Sequence, residues 1–315
     1  MAAWQPRQGE TLLSRGAVEF ATGMAAPVSG MRWFRDTERR DIQQELPGWP
    51  EGPTYVVRSR ADQTTRRAAR GVGVVTHSLV VLAAGVLGAV GSPFGSPNVR
   101  GKSEDPKNEV DDFPAMWGQP GGIARDLPWQ LDPARRPANL RTHIIVTDVR
   151  LVVVGFPDDD PSRDELLWEA DRSVVAQVAR KKFSEGKRDF TITFTDGSWC
   201  RLHSYDSDCV NRLILHTGVP SEFVPMDRLT PGERQAVDDF LAKVAPAEGD
   251  SGVAGSAYPY RTVTRMPSGN LYFETWSEIV DPVKGISAGP GSWFGPDGEP
   301  GKLKPGDTDW IGGMN

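Results

Sequence analysis

Residues 72–91 form a run of twenty amino acids without a charged side chain, and this run constrains the chain more than any other feature. It contains thirteen Val, Leu or Ala and four Gly, with Thr76, His77 and Ser78 as its polar members. As a helix it would be about 30 Å long, which matches the hydrocarbon core of a bilayer. Val and Leu favour insertion, whereas Gly and His77 oppose it. The run predicts a separate apolar helix that either spans a membrane or is buried in a soluble core or an oligomer.

Basic residues precede the apolar run and are candidate membrane-flanking residues. They are Arg58, Arg60, Arg66, Arg67 and Arg70. Because Arg100, Lys102 and Lys107 lie on the other side, the charge bias that would orient a spanning helix is weak. Inside the run, two small-xxx-small pairs have the spacing that lets helices approach closely. These pairs, Ala84 with Gly88 and Gly85 with Ala89, indicate self-association.

Composition limits the size of the packed core. The chain has 34 Gly and 26 Pro in 315 residues, and its hydrophobic fraction of 38% is low, so we expect one modest domain and long irregular segments.

A net charge of −6 argues against nucleic acid as a partner. Cys200 and Cys209 are too few for a disulfide framework, and whether they are reduced or paired is left open. Arginine far exceeds lysine, which is typical of a GC-rich genome of the actinobacterial kind.

The sequence divides into five predicted segments. Residues 1–57 are an N-terminal segment with a short helix at 31–46, ended by Pro47 and Pro50. Residues 58–91 contain the basic flank and the apolar helix. Residues 92–140 read as a Pro/Gly-rich linker in which Trp117 and Trp129 either dock on the next domain or belong to a binding motif. Residues 141–245 form the folded domain. Residues 246–315 have the composition of a disordered tail with spaced aromatic residues. These aromatic residues either form docking motifs or belong to a linker without a binding role.

Period-two alternation predicts strands in the folded domain, at 143–147, 150–156, 165–170, 174–183, 190–195 and 198–203. The dipeptide Asp196-Gly197 is a strong signal for the turn of a hairpin. Residues 206–218 then predict a helix. A second helix begins at the capping box Thr230-Pro231-Gly232-Glu233 and runs to about residue 245.

Three short patterns in this region resemble the bacterial pleckstrin-homology-like and GRAM-type domains. The matching residues are Thr147, Asp148, Arg150 and Leu151, then Leu167, Trp168 and Glu169, then Phe194, Asp196, Gly197, Ser198 and Trp199. The resemblance covers residues 141–220. It implies an α+β fold, a small antiparallel PH-like β-barrel or sheet capped by a C-terminal helix. It also implies binding of phosphoinositides, other lipids or protein partners, but we transfer no ligand site from the family.

The remaining sequence contains few candidates for a binding, catalytic or metal site. One basic cluster is a candidate for contacts with an anionic surface, and its alternative is a solvated hairpin tip. It consists of Arg180, Lys181, Lys182, Lys187 and Arg188. Cys200 with His203 is a weak candidate for a cysteine mechanism. Together with Cys209 and His216, this pair does not have the spacing of any common zinc-binding module. We therefore expect no catalytic residue, no metal site and no cofactor.

These observations favour a non-enzymatic, membrane-associated docking or adaptor protein at the cell membrane. It would bind a protein or lipid partner through the PH-like domain and the tail, with a protein partner favoured. The first alternative is a soluble cytoplasmic interaction protein whose apolar helix is buried. The second is an enzyme that uses Cys200 and His203.

Overall fold

The computed structural model describes residues 3–21, 34–38, 40–51, 115–180, 188–205, 207–217, 222–244, 260–302, 304 and 307. In chain order the strands and α-helices are β1 (Leu12–Ala17), β2 (Glu19–Phe20), β3 (Phe34–Arg35), β4 (Met116–Trp117), β5 (Leu140–Thr147), β6 (Arg150–Pro157), β7 (Glu165–Asp171), β8 (Val175–Arg180), β9 (Asp189–Phe194), β10 (Trp199–His203), α1 (Ser207–Thr217), β11 (Glu222–Phe223), α2 (Pro231–Val244), β12 (Tyr260–Arg265), β13 (Leu271–Asp281) and β14 (Gly285–Phe294). Short 3-10 turns lie at Ile123–Asp126, Trp129–Leu131, Arg172–Val174 and Met226–Arg228.

The chain forms two compact units from interleaved segments. Unit 1 comprises Met1–Val18, Arg141–Ala179 and Ser204–Asn315. Unit 2 comprises Glu19–Leu140 and Arg180–His203. Each unit therefore combines residues that are far apart in the sequence.

Unit 1 contains two antiparallel sheets with a common core. The first has the strand order β1-β5-β6-β7, and the second has the order β11-β12-β13-β14. Leu12, Ile145, Val152 and Val154 from the first sheet pack with Trp276 and Ile286 from the second. Burying these side chains together removes their apolar surface from water and stabilises the pair of sheets. Helix α1 lies against β1.

Helix α2 packs on the second sheet of unit 1. Its Val237 is buried with Val263 and Phe273, and the Phe240 ring meets the Phe273 ring edge to face at 5.8 Å. The capping box predicted at its start is confirmed. The Thr230 N–H donates to Glu233 Oε2 at 2.9 Å, and the Glu233 N–H donates to Thr230 Oγ1 at 3.3 Å.

The turn between β13 and β14 requires a glycine. Gly285 has φ +94°, and a Cβ atom there would lie 2.2 Å from the Arg15 carbonyl oxygen. We expect Gly285→Ala to lower the free energy of unfolding by about 2 kcal/mol, from left-handed strain together with the steric clash. Gly9→Ala is the control, because Gly9 has φ +79° but open space around it. Urea denaturation should show the smaller loss for Gly9→Ala, and equal losses would contradict the role of the clash.

Unit 2 contains a sheet in which β3, β4, β10 and β9 are neighbours in that order, with β2 also paired to β10. The predicted hairpin at Asp196-Gly197 is confirmed, with Gly197 at φ +82° between β9 and β10. The Asp196 carboxylate accepts the N–H of Ile123 at 2.6 Å and the N–H of Ser198 at 2.9 Å. Ser198 Oγ accepts the Ala124 N–H at 3.0 Å. The hairpin turn thereby holds the 3-10 turn Ile123–Asp126 in place.

The predicted α+β fold class is wrong. Of the described residues, 42% lie in strands and 18% are helical, so the chain is mostly β-sheet. Strands are present at the six predicted positions as far as the described residues reach, which in the predicted strand 174–183 is residue 180, but they do not close one small barrel under a helical cap. Strands β5 to β7 lie in one sheet with β1, whereas β9 and β10 lie in another with β2 and β4. The partners β1, β2 and β4 lie outside the 141–220 region that the resemblance covered.

Two further expectations need correction. The predicted disordered tail contains β12, β13 and β14 between residues 260 and 294. The described residues of the predicted helix at 31–46 contain β3 followed by turns rather than a helix. The apolar run 72–91, its small-residue pairs and its flanking arginines lie outside the described residues. Within the described ranges, no helix has the length and apolar character needed to cross a membrane.

Candidate functional site

Two adjoining cavities in unit 2 share one tryptophan. The first has a volume of about 230 Å³ and the second about 190 Å³. We call the surface that they form the Trp49 groove. It is lined by Gln43, Gln44, Pro47, Trp49, Pro50, Glu51, Arg125, Asp126, Leu127, Pro128, Trp129 and Arg135. Two tryptophans and three prolines give the groove flat apolar surfaces among polar groups.

The Trp49 ring is held by an aromatic cluster. The ring of Phe34, on β3, meets Trp49 edge to face at 4.8 Å, and the ring of Phe20, on β2, lies 6.0 Å from it. The Arg135 guanidinium lies 5.8 Å from the centre of the Trp49 ring and pairs with Asp132. Such contacts fix the orientation of the indole and leave its outer part half-buried at the groove.

Arg125 forms part of the wall of the second cavity. Its side chain is 9% exposed, and Nε donates to the Gly118 carbonyl oxygen at 3.0 Å. Nη1 lies 3.6 Å from Glu45, whose side chain is 56% exposed, so this ion pair is weak. Nη2 is buried and has no hydrogen-bond acceptor among the described residues. A buried guanidinium N–H without an acceptor carries a desolvation cost.

Two carboxylates lie at the groove, one in each cavity. Glu51 lines the first cavity and Asp126 lines the second. Both residues are exposed, and within the described ranges neither makes an ion pair or a side-chain hydrogen bond. Because Arg135 pairs with Asp132 and Arg125 faces Glu45, the groove retains negative charge at its edge.

The structure tests little of the predicted basic cluster. Lys181, Lys182 and Lys187 lie outside the described residues. Arg180 and Arg188 are half-buried, and Arg188 Nε is buried without an acceptor among the described residues. Arg180 ends β8, whereas Arg188 precedes β9. An anionic-surface contact at this position stays a prediction.

The cysteine and histidine candidates do not form a site in the described residues. Cys200 is completely buried, and burial raises the pKa of its thiol to about 12. Cys200 and His203 are three residues apart on β10, so their side chains point to opposite faces of the strand. His203 Nδ1 instead lies 2.7 Å from Asp189. His216 is buried in α1, where desolvation lowers its pKa to about 3. No group of His, Cys, Asp and Glu among the described residues has a metal-binding arrangement.

Sequence reasoning identified only part of the Trp49 groove. Trp129, which the sequence predicts either to dock on the next domain or to belong to a binding motif, lines the groove. In the sequence, Pro47 and Pro50 predict only the end of a helix, and no pattern marks Trp49. A tryptophan between two prolines in a polar segment is the signal that could have indicated an exposed aromatic surface. Nothing local to the sequence connects Trp49 with Trp129, because eighty residues separate them.

No protein-family model matches this sequence, and no curated protein or solved structure is significantly similar to it.

Proposed function

We propose that this chain is a non-enzymatic docking protein that binds an extended, proline-rich segment of a partner protein in the Trp49 groove. The observation that carries the proposal is the pair of adjoining cavities with Trp49 in common and Trp129 in the second. The proposal does not depend on a membrane anchor or on a PH-like barrel.

The lining of the groove suits a polyproline II segment. Such a segment is extended before it binds, so it loses little conformational entropy, and its rings pack on flat aromatic side chains. Trp49 and Trp129 are half-buried and supply those surfaces. A polyproline II segment also has unpaired backbone carbonyl groups, and the side-chain amide of Gln44, which is exposed in the first cavity, can donate to them. The groove therefore matches both the apolar rings and the backbone of such a ligand.

The test is a titration of the isotope-labelled full chain with a blocked octaproline peptide, followed through the tryptophan indole N–H signals. We expect a saturable change at Trp49 and Trp129. Trp129→Ala should weaken binding at least tenfold, as expected for an aromatic anchor. Trp293→Ala is the matched control, since Trp293 is a half-buried tryptophan of β14 stacked on Tyr272 at 4.4 Å.

A thermal unfolding curve should be measured for each variant to check that it folds. If Trp129→Ala does not fold, Trp129→Leu retains apolar volume and removes the flat ring. A blocked Gly-Ser octapeptide should give no saturable change. The proposal fails if octaproline leaves both indole signals unchanged, or if a folded Trp129 variant binds octaproline as tightly as the unsubstituted chain.

A further inference from the structure

The charge of the Trp49 groove bears on which residues flank the prolines of its ligand. Glu51 and Asp126 are both exposed at the groove, one in each of the cavities that share Trp49. Neither has a cationic partner among the described residues. An incoming segment that lies across Trp49 would therefore meet a free carboxylate in both cavities.

The two arginines of the groove do not cancel this charge. The Arg135 side chain is 1% exposed and pairs with Asp132, which is fully buried. Arg125 has Glu45 as a neighbour at 3.6 Å. Each arginine is thus accompanied by an acidic residue of its own, and Glu51 and Asp126 remain as excess negative charge. An acidic ligand would be repelled there, and a basic one attracted.

We propose that the occupant of the Trp49 groove is a proline-rich segment with a basic residue on each side of the prolines, pairing with Glu51 and Asp126. This inference rests on the proposed function, because it assumes that a polyproline II segment lies in the groove. It adds the charge that distinguishes one proline-rich partner from another.

Three blocked peptides test this inference on the full chain. Each has a hexaproline core, flanked on both sides by Arg, by Gln or by Glu. The Arg-flanked peptide should bind roughly 2- to 10-fold more tightly than the Gln-flanked peptide, and the Glu-flanked peptide more weakly than both. The advantage of Arg should shrink in about 0.5 M NaCl, because salt screens exposed charges.

Glu51→Gln with Asp126→Asn removes both carboxylates without disturbing a buried contact, since both side chains are exposed. In this double variant the Arg-flanked and Gln-flanked peptides should bind within about twofold of each other. Asp159→Asn is the matched control, because Asp159 is an exposed acidic residue of unit 1. It should leave the preference for Arg unchanged.

The outcomes separate this inference from the proposed function. If the Gln-flanked peptide binds at Trp129 and Arg flanks give no advantage, the charge inference is wrong and the docking proposal stands. If the advantage of Arg survives in the double variant, it arises from the net charge of the chain rather than from Glu51 and Asp126. If none of the three peptides changes the signals of Trp49 and Trp129, the docking proposal itself is wrong.

Discussion

Asp164→Asn is expected to lower the free energy of unfolding of unit 1 by about 3–5 kcal/mol, because it leaves a buried guanidinium without its counter-charge. The Asp164 carboxylate accepts two hydrogen bonds from Arg15, from Nη1 and from Nη2, each at 2.7 Å. The two side chains are 3% and 2% exposed. The Trp4 N–H also donates to Asp164, at 2.7 Å.

Among the described residues, no other neighbour of Arg15 can replace the lost charge. Arg15 Nε donates to His143 Nδ1 at 3.1 Å, and His143 Nε2 lies 3.1 Å from the Pro282 carbonyl oxygen. Burial and the Arg15 charge keep the pKa of His143 well below its ordinary value, so this ring is neutral. On its remaining side the guanidinium faces the Phe156 ring at 5.6 Å.

Urea denaturation of three variants measures the effect. Asp158→Asn is the control, because Asp158 pairs with Arg141 at the surface, where the two side chains are 44% and 31% exposed. This substitution should lower the free energy of unfolding by less than about 1 kcal/mol. Combining Arg15→Met with Asp164→Leu removes both charges and should recover most of the loss. A cost for Asp164→Asn as small as that of the control would show that the buried ion pair does not have the assigned energy.

Glu274→Gln is expected to stabilise unit 1 at high pH and to have little effect at low pH. Glu274 is 8% exposed on β13, and burial raises the pKa of its carboxyl group to about 7 from 4.5, against the lowering effects of Tyr272 and Arg212. Oε2 has no hydrogen-bond partner among the described residues. Gln has the same shape and is never ionised, so it avoids placing a charge at this position.

The sign follows from the two protonation states. Below about pH 4.5 the carboxyl is protonated in both the folded and the unfolded chain, so ionisation costs nothing. As pH rises towards 7, the unfolded chain ionises first, and the folded chain loses about 1.4 kcal/mol of stability per pH unit. The advantage of Glu274→Gln over the unsubstituted chain should therefore grow by about 3 kcal/mol between about pH 4.5 and pH 8 and then level off.

His216→Gln is the matched control, with the opposite pH dependence. Desolvation, with the charges of Arg172 and Arg212, lowers the pKa of His216 to about 3 from 6.5. The folded chain thus loses stability as pH falls below about 6.5, because only the unfolded chain takes up the proton. The stability of His216→Gln relative to the unsubstituted chain should rise as pH falls. In denaturation curves between about pH 4.5 and pH 8, an advantage of Glu274→Gln that does not grow with pH would contradict the Glu274 assignment, and an advantage of His216→Gln that does not grow as pH falls would contradict the His216 assignment.

Features set by local sequence were predicted well, and features set by distant pairing were not. The capping box at Thr230 and the turn at Asp196-Gly197 satisfy their own backbone groups, so a few residues are enough to specify them. In β13, Leu271 and Phe273 are buried, and this alternation was hidden by the surrounding Gly and Pro composition.

The fold class depended on strand partners that no local pattern identifies. Residue 12 of β1 pairs with Thr147 of β5, and Trp117 of β4 pairs with Trp199 of β10. The candidate site has the same origin, because the Trp49 groove combines residues 43–51 with residues 125–135. The flat rings could be seen in the sequence, but their juxtaposition could not.

The pairing of β1 with β5 has a consequence for the synthesis of the chain. In unit 1, β1 meets His143 to Thr147, and its Leu12 packs with Trp276 and Ile286. At about 5–20 residues per second, a ribosome needs on the order of ten seconds to reach β5, and about as long again to reach β14. During that time the nascent β1 has neither its sheet nor its core, and the unpaired backbone groups of a strand attract other strands. A cell that makes this protein must keep β1 from pairing with other chains until β14 has emerged.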